Sequence, residues 1–380
     1  MLLVSSPTLG EAEKSALRDV VESGWITMGP RVRAFEERFA AMHGAPDAVA
    51  VSSCTAALHL ILLALGIGAG DEVLVPSMTF AATVNAVLYV GATPVMVDIA
   101  TLDHPILALA DAEAKCTART RAAIVMHYAG YVTDRDAWRT LAQRRNILIV
   151  EDAAHAAGAA GVGTFGTATA FSFYGNKNMT TAEGGMILAE DPKHLALMRL
   201  ARAHGLTSGT FERKHARAPT YDVVSLGYNY RLDEFRAAIG LAQLDQLGAW
   251  TARRRALTQA YFAALTAQAP RVGLPFHRLA NDPGTTSAHH IMPVLLPPGS
   301  DRDAIAGFLS EAGIQTTMHY PPAHRMTFYR SFLPEQDLPV TDAFARRQIT
   351  LPLHPGMSED DVAHVARTLA DALAHVARGG

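Results

Sequence analysis

Two cysteines in 380 residues, Cys54 and Cys116, are too few for a disulfide framework, and their scarcity fits a reducing compartment. An excess of one charge is also missing. The 33 Lys and Arg against 36 Asp and Glu give a formal net charge of −3, and no long basic run appears, which argues against nucleic acid as a partner. Long apolar runs are absent too. The most apolar window, residues 56–65, is interrupted by His59 and stops at Gly66, well short of a membrane span. The first residues, Met1-Leu2-Leu3-Val4-Ser5-Ser6-Pro7, have no basic segment and too short an apolar one for a secretory signal. There is no internal repeat and no low-complexity tract. These absences predict a soluble, cytoplasmic protein with no membrane and no nucleic acid among its partners.

Hydrophobic residues make up 49% of the chain and charged residues 18%, which suits a globular protein with a large core. The length exceeds one ordinary core and predicts two domains, residues 1–248 and a smaller α+β domain over 249–380. In the first, apolar runs predict strands at 48–51, 72–75, 94–97, 121–127, 146–150, 168–173 and 186–189. Helical patterns at 55–65, 79–89, 106–115, 134–145 and 192–203 alternate with them, after helices at 9–24 and from about residue 32. This rhythm predicts an α/β fold, a mostly parallel sheet sandwiched by helices, with ligands bound beyond the carboxyl ends of the strands. The polar stretch 208–220 reads as a loop. Residues 232–247 and 250–268 read as one long or kinked helix, with Gly248 the expected break. Strands near 287–296, 314–320 and 349–353, with helices 301–312 and 358–377, complete the second domain.

Two stretches carry chemistry. Glu151-Asp152-Ala153-Ala154-His155 places an acid pair just past the buried run 147–150. Phe171-Ser172-Phe173-Tyr174-Gly175-Asn176-Lys177-Asn178 ends a second strand in a turn with a lone lysine. A carboxylate and a lysine at neighbouring strand ends can flank one small molecule, as a pyridoxal phosphate (PLP) site requires. There the lysine forms the Schiff base, and the acid keeps the pyridine nitrogen protonated so that the ring acts as an electron sink. A turn lysine is ordinarily a solvated charge. Flanked by Asn176 and Asn178 after a buried strand, Lys177 instead points into the crevice, where desolvation makes it a usable nucleophile and base. Asp152 could simply cap the next turn, but a buried acid needs a partner, and a pyridinium is one. Ser52-Ser53-Cys54-Thr55 is first a helix cap, and the same amides and dipole can bind phosphate. Ser172 stands where it can donate to that phosphate. Taken alone, Phe80 reads as core packing, His155 as a satisfied core histidine, and Gly227–Arg231 as a capped helix start. In His319-Tyr320-Pro321-Pro322-Ala323-His324 the two histidines lack a nearby Cys or Glu and are separated by prolines. A substrate-facing loop is therefore expected there, and no metal site.

Together these residues resemble the DegT/StrS family of PLP-dependent sugar aminotransferases, in the fold-type I group. The likeness runs over almost the whole chain. It includes residues 23–30, Thr55–His59, Gly70–Val73 with Pro76–Phe80, Glu151–His155, Phe171–Asn178 with Thr180–Gly185, Gly227–Arg231, Gly313-Ile314 with His319-Tyr320, and Leu351–Leu353. The resemblance implies Lys177 as the Schiff-base lysine, Asp152 at the pyridine nitrogen, Phe80 stacked on the ring and His155 near the ring oxygen. It places Cys54, Thr55, Ala56 and Ser172 at the phosphate. It implies a homodimer with shared sites, in which Asn229 reaches the neighbour's phosphate and Arg231 lies near the neighbour's substrate. His319, Tyr320 and His324 then border the acceptor. Two positions depart from the family pattern: Cys54 and Ala182 stand where glycine is common. The implied activity is transfer of an amino group from an amino acid, L-glutamate, to a keto sugar linked to a nucleotide, giving an amino sugar. Two rival readings are a PLP-dependent keto-sugar dehydratase and a non-catalytic PLP-binding regulator. The resembling dehydratases have histidine in place of the lysine, and Lys177 is present here.

Overall fold

The computed structural model describes residues 1–215, 220–272 and 287–378. Seven strands form its main sheet: β1 (Ala48–Val51), β2 (Glu72–Pro76), β3 (Thr93–Val97), β4 (Thr120–Met126), β5 (Leu148–Asp152), β6 (Ala168–Ser172) and β7 (Gly185–Ala189). Their spatial order is β1-β7-β6-β5-β4-β2-β3. Strands β2 to β6 run parallel, as the alternating pattern predicted. Strand β7 runs antiparallel to both β6 and β1. The reason is the connection: a parallel pair needs a crossover, normally a helix, whereas residues 173–184 hold only turns and fold straight back.

The strands are buried on both faces, so they read as apolar runs rather than as alternation. On one face, Leu58, Leu60, Ile61 and Leu62 of the helix Cys54–Ala64 pack against Val73, Val75, Ile124, Val150 and Ala170. On the other, Phe35 and Phe39 of the helix Pro30–Met42 pack against Phe171 and Phe173, and Trp138 and Leu141 cover Val125 and Ile149. The first predicted helix is Glu11–Ser23, ended by Gly24 in the left-handed region at φ 66°.

The helix Glu234–Val272 runs through Gly248 without the expected break. A mid-helix glycine costs only about 1 kcal/mol, and packing at both ends of the helix outweighs that. Its later residues Leu257, Tyr261 and Leu265 join a separate core with β8 (Met292–Leu295), β9 (Gln348–Leu351) and the helices Arg302–Glu311 and Glu359–Val376. Strands β8 and β9 pair antiparallel. The expected strand at 314–320 is reduced to isolated bridges, Ile314 to Leu2 and Thr317 to Thr350. The expected strand at 287–296 shortens to β8. Its first part bonds instead to the loop after β4, with Ala288 N donating to Gly130 O at 3.0 Å and His290 N to Ala129 O at 2.9 Å. The expected loop at 208–220 contains the helix Thr210–His215, and its residues 216–219 lie outside the described residues. Among the described residues, no helix is long and apolar enough to cross a membrane.

Candidate active site

Strand β5 extends two residues beyond the predicted run, so both acids lie within it and strand alternation sends them to opposite faces. Glu151 is fully buried and serves the fold. It contacts His127 Nε2 at 3.0 Å and accepts hydrogen bonds from Thr169 Oγ1 at 2.6 Å and Gly166 N at 3.0 Å. Burial pushes its carboxyl up, but these donors outweigh burial and hold it below the ordinary range. Asp152 points the other way. Its Oδ2 accepts from Thr83 Oγ1 at 2.7 Å and its Oδ1 from Ala154 N at 3.2 Å. Thr83 gives its only hydroxyl hydrogen to the carboxylate, so in the 2.7 Å contact between Thr79 and Thr83 the donor is Thr79.

Lys177 sits in the turn after β6, its backbone N donating to Tyr174 O at 3.0 Å. Burial pulls its amine down to about 8, with Cys54 and Asp152 pulling back up. The predicted carboxylate and amine are thus within electrostatic reach of each other. Cys54 opens the helix Cys54–Ala64 and feels both. Burial and Asp152 push its thiol well up, against the pull of Lys177. That helix start is pinned from below, because a Cβ on Gly185 would lie 2.6 Å from the carbonyl carbon of Ser53. The Ser53 Oγ accepts from Ala56 N at 3.1 Å. Cys54 and Thr55 occupy the first two helical positions, whose amides have no intrahelical acceptor.

A shelf of histidines and tyrosines faces Lys177. His155 Nδ1 accepts from Ala129 N at 3.3 Å, and its Nε2 lies 2.7 Å from Tyr320 Oη. Burial, then Lys177 and His319, hold His155 well below 6.5, so the ring is neutral. With Nδ1 accepting, Nε2 carries the hydrogen and donates to Tyr320, whose own O–H is left to point elsewhere. Burial and Asp152 push the Tyr320 hydroxyl up, keeping it protonated. His319 accompanies it, pulled down to about 4 by burial and Lys177. Phe80 precedes the helix Ala81–Tyr89 at the end of β2 and is 59% exposed, its ring 6.0 Å from that of Tyr320. A large apolar ring left bare beside a polar crevice suits a flat partner better than core packing.

Three predicted residues lie elsewhere within this chain. Asn229 and Arg231 line a cavity of about 590 Å³ with Thr27, Arg199 and Thr210. They are anchored beside β1, where Ser52 N donates to Tyr230 O at 2.8 Å. His324 is buried 3.2 Å from Asp342 and lines a smaller cavity of about 240 Å³ with Arg325 and Arg330. Sequence reasoning missed Thr83, Asn178 and His290. Thr83 lies in the predicted helix 79–89, on the face toward Asp152. His290 comes from the C-terminal part of the chain, and no spacing ties it to Lys177.

These residues fit PLP. A half-buried amine with a lowered affinity for protons, a buried carboxylate with ordered donors, helix-start amides and a bare aromatic ring are what an aldehyde, a pyridine nitrogen, a phosphate and a flat ring require.

The family model described as the DegT/DnrJ/EryC1/StrS aminotransferase family matches residues 7–370. Among solved structures, the chain is similar to Spr1654 from Streptococcus pneumoniae, assigned as a sugar aminotransferase, in its PMP form. The two are 31% identical over 99% of this chain and 100% of that one, with a TM-score of 0.91. Spr1654 has also been solved in a PLP form. DesV from S. venezuelae is 36% identical over 95% of this chain and 94% of its own, with a TM-score of 0.84. PseC from Helicobacter pylori, an aminotransferase involved in the biosynthesis of pseudoaminic acid, is 27% identical over 98% and 99%, with a TM-score of 0.89.

Proposed function

The chain belongs to the DegT/DnrJ/EryC1/StrS aminotransferase family and is a PLP-dependent aminotransferase of amino-sugar biosynthesis; on that premise we propose that it moves the amino group of L-glutamate to a keto sugar carried on a nucleotide. The observation that carries this reading is the Lys177 amine, pulled down to about 8 by burial within reach of Asp152. When bound, PLP supplies an electron sink for negative charge left at the donor's α-carbon. Lys177 Nζ then acts as base and acid in turn, taking the proton from the donor's α-carbon and returning it one bond away. An amine that titrates near 8 suits both directions. Asp152 holds the proton on the pyridine nitrogen, with Thr83 and Ala154 orienting its oxygens. Phe80 would cover one face of the ring, and His155 with Tyr320 would stand at the ring oxygen. Ser172 and the amides of Cys54, Thr55 and Ala56 hold the phosphate; because Ala56 N already donates to Ser53, the first two amides carry most of that duty.

Asn229 and Arg231 line a cavity that does not include Lys177. This favours a homodimer in which each subunit lends both residues to its neighbour's site, with His319, Tyr320 and His324 on the acceptor side. The same reading places the enzyme in the cytoplasm, in keeping with two free cysteines.

The test is the first half-reaction. Mixing the PLP-loaded protein with L-glutamate, without a sugar, should shift the cofactor's absorbance band and release one equivalent of 2-oxoglutarate per site. The Lys177→Ala variant should do neither at a measurable rate. Full 2-oxoglutarate release by that variant would remove Lys177 from its role. No release by the unaltered protein, with glutamine active instead, would overturn the donor.

A further inference from the structure

His290 is a buried imidazole in direct ring contact with His155, at 4.4 Å, and no role assigned so far uses it. Its hydrogens can be placed from its neighbours. Asn178 lies 2.6 Å from the Ala288 carbonyl oxygen. A carbonyl only accepts, so the Asn178 atom facing it is the amide nitrogen. The other Asn178 atom, Oδ1, therefore faces His290 Nδ1 at 2.9 Å and can only accept. His290 Nδ1 must carry a hydrogen. Burial, reinforced by His155, Lys177, Arg254 and His319, holds the ring well below 6.5 and so singly protonated. Its Nε2 is then an open lone pair, and that atom is buried without a hydrogen-bond partner.

A buried acceptor left unmade costs free energy unless a donor reaches it in some working state. The donors near this ring are few. His155 has spent its Nε2 hydrogen on Tyr320; Arg254 Nη1 donates to the backbone oxygens of His290 and Leu353 at 3.1 Å and 2.8 Å, and Arg254 Nε is itself buried without a partner. Lys177 is the donor tied to the ring's own anchor: it is bonded in sequence to Asn178, whose Oδ1 holds His290 Nδ1 at 2.9 Å, and its charge acts on the His290 ring.

We propose that His290 is a positioning residue for Lys177: its Nε2 accepts a hydrogen from the Lys177 amine whenever that amine is free. The covalent tie between Lys177 and Asn178 keeps the acceptor in step with the turn that carries the amine. This role rests on the reading of Lys177 as the site's amine. It explains a group which that reading left unused, and it gives the freed amine a place to wait between its two proton transfers.

The experiment uses the cofactor-free protein, so that it does not depend on turnover. The chain has five lysines, Lys14, Lys115, Lys177, Lys193 and Lys214. With lysine labelled at the ε-carbon, five resonances can be titrated by NMR, that of Lys177 being assigned by its loss in Lys177→Met. An acceptor favours the charged amine, so His290→Phe should lower the Lys177 midpoint by about one pH unit. His290→Gln, whose side-chain oxygen can stand near the Nε2 position, should restore most of it. No shift in the Phe variant, or an equal shift in both, overturns the proposal. Should the Phe variant not fold, the unaltered protein decides. The His290 Nε2 nitrogen-15 resonance should be that of an unprotonated ring nitrogen and should move in Lys177→Met; an unmoved resonance also overturns it. Borohydride trapping of PLP on the unaltered protein, followed by peptide mapping, separately tests whether Lys177 is the lysine that bears the cofactor.

Discussion

Lys177 makes a prediction that needs no substrate. Its amine is held at about 8, against an ordinary value of 10.5. In the unfolded chain it returns to the ordinary value. Between those two values the unfolded state therefore binds more protons than the folded one, so the stability of the cofactor-free protein should rise with pH through that window. Below pH 8 both states are protonated, and the full penalty of a half-buried ammonium applies. Above 10.5 both are neutral and it vanishes. A gap of about 2.5 units corresponds to about 3 kcal/mol, an upper bound because water reaches part of the side chain. Lys177→Met removes the charge and keeps the length. Urea unfolding of both proteins at one fixed concentration, from pH 7 to 10.5, should show the Met variant ahead by up to that amount near neutrality. Its advantage should fall steadily from pH 8 upward. Other titrations, such as those of the buried tyrosines, cancel in the difference. A difference that stays flat with pH, or that grows with it, would refute the claim that burial sets the state of this amine.

Two further outcomes follow from the site's supports. Thr83→Val removes the hydroxyl that donates to Asp152 Oδ2 at 2.7 Å. A hydrogen bond to a charged group contributes about 1.5 kcal/mol or more, so PLP affinity measured by absorbance titration should drop roughly tenfold, with Thr83→Ser near the original; unchanged affinity in the Val variant would show that Asp152 needs no such support. Ala182 is held at φ 67°, in the left-handed region. Exchange for glycine relieves about 1–2 kcal/mol of backbone strain and adds back about 0.4–1 kcal/mol of unfolded-state entropy, so Ala182→Gly should raise the urea midpoint by an amount equal to about 0.5 kcal/mol. A lower midpoint would mean that the Ala182 methyl is needed for packing.

The strand bodies were legible because a strand buried on both faces must be apolar, and Ala48–Val51 falls where its pattern placed it. The end of β5 was not. Glu151 and Asp152 read as lying just past the strand; they extend it because His127, Thr169 and Thr83 supply their partners, and those partners come from three other elements. The reversal of β7 was hidden because an apolar run carries no direction. The helix through Gly248 was hidden because a local propensity of about 1 kcal/mol is weaker than packing against two cores.

The same distinction explains which half of the site could be read. Asp152 and Ser172 close their strands and Lys177 lies in the turn after one, so the rule that ligands bind at the carboxyl edge finds them. The order of hydrogens in the site cannot be found that way, because it depends on atoms that can act in only one sense. On one side the Asp152 carboxylate only accepts, which fixes the line Thr79 to Thr83 to Asp152. On the other the Ala129 amide only donates, which fixes the line Ala129 to His155 to Tyr320. The first line ends in an acceptor and the second in a free O–H donor, and Lys177 lies within electrostatic reach of Asp152 and His155. In the proposed arrangement, a ring set between them would meet an acceptor where its nitrogen must keep a proton and a donor where its oxygen carries negative charge. That is the polarity an electron-withdrawing cofactor needs. It comes from one backbone amide and one carboxylate, whose lines of hydrogens both end within reach of one lysine.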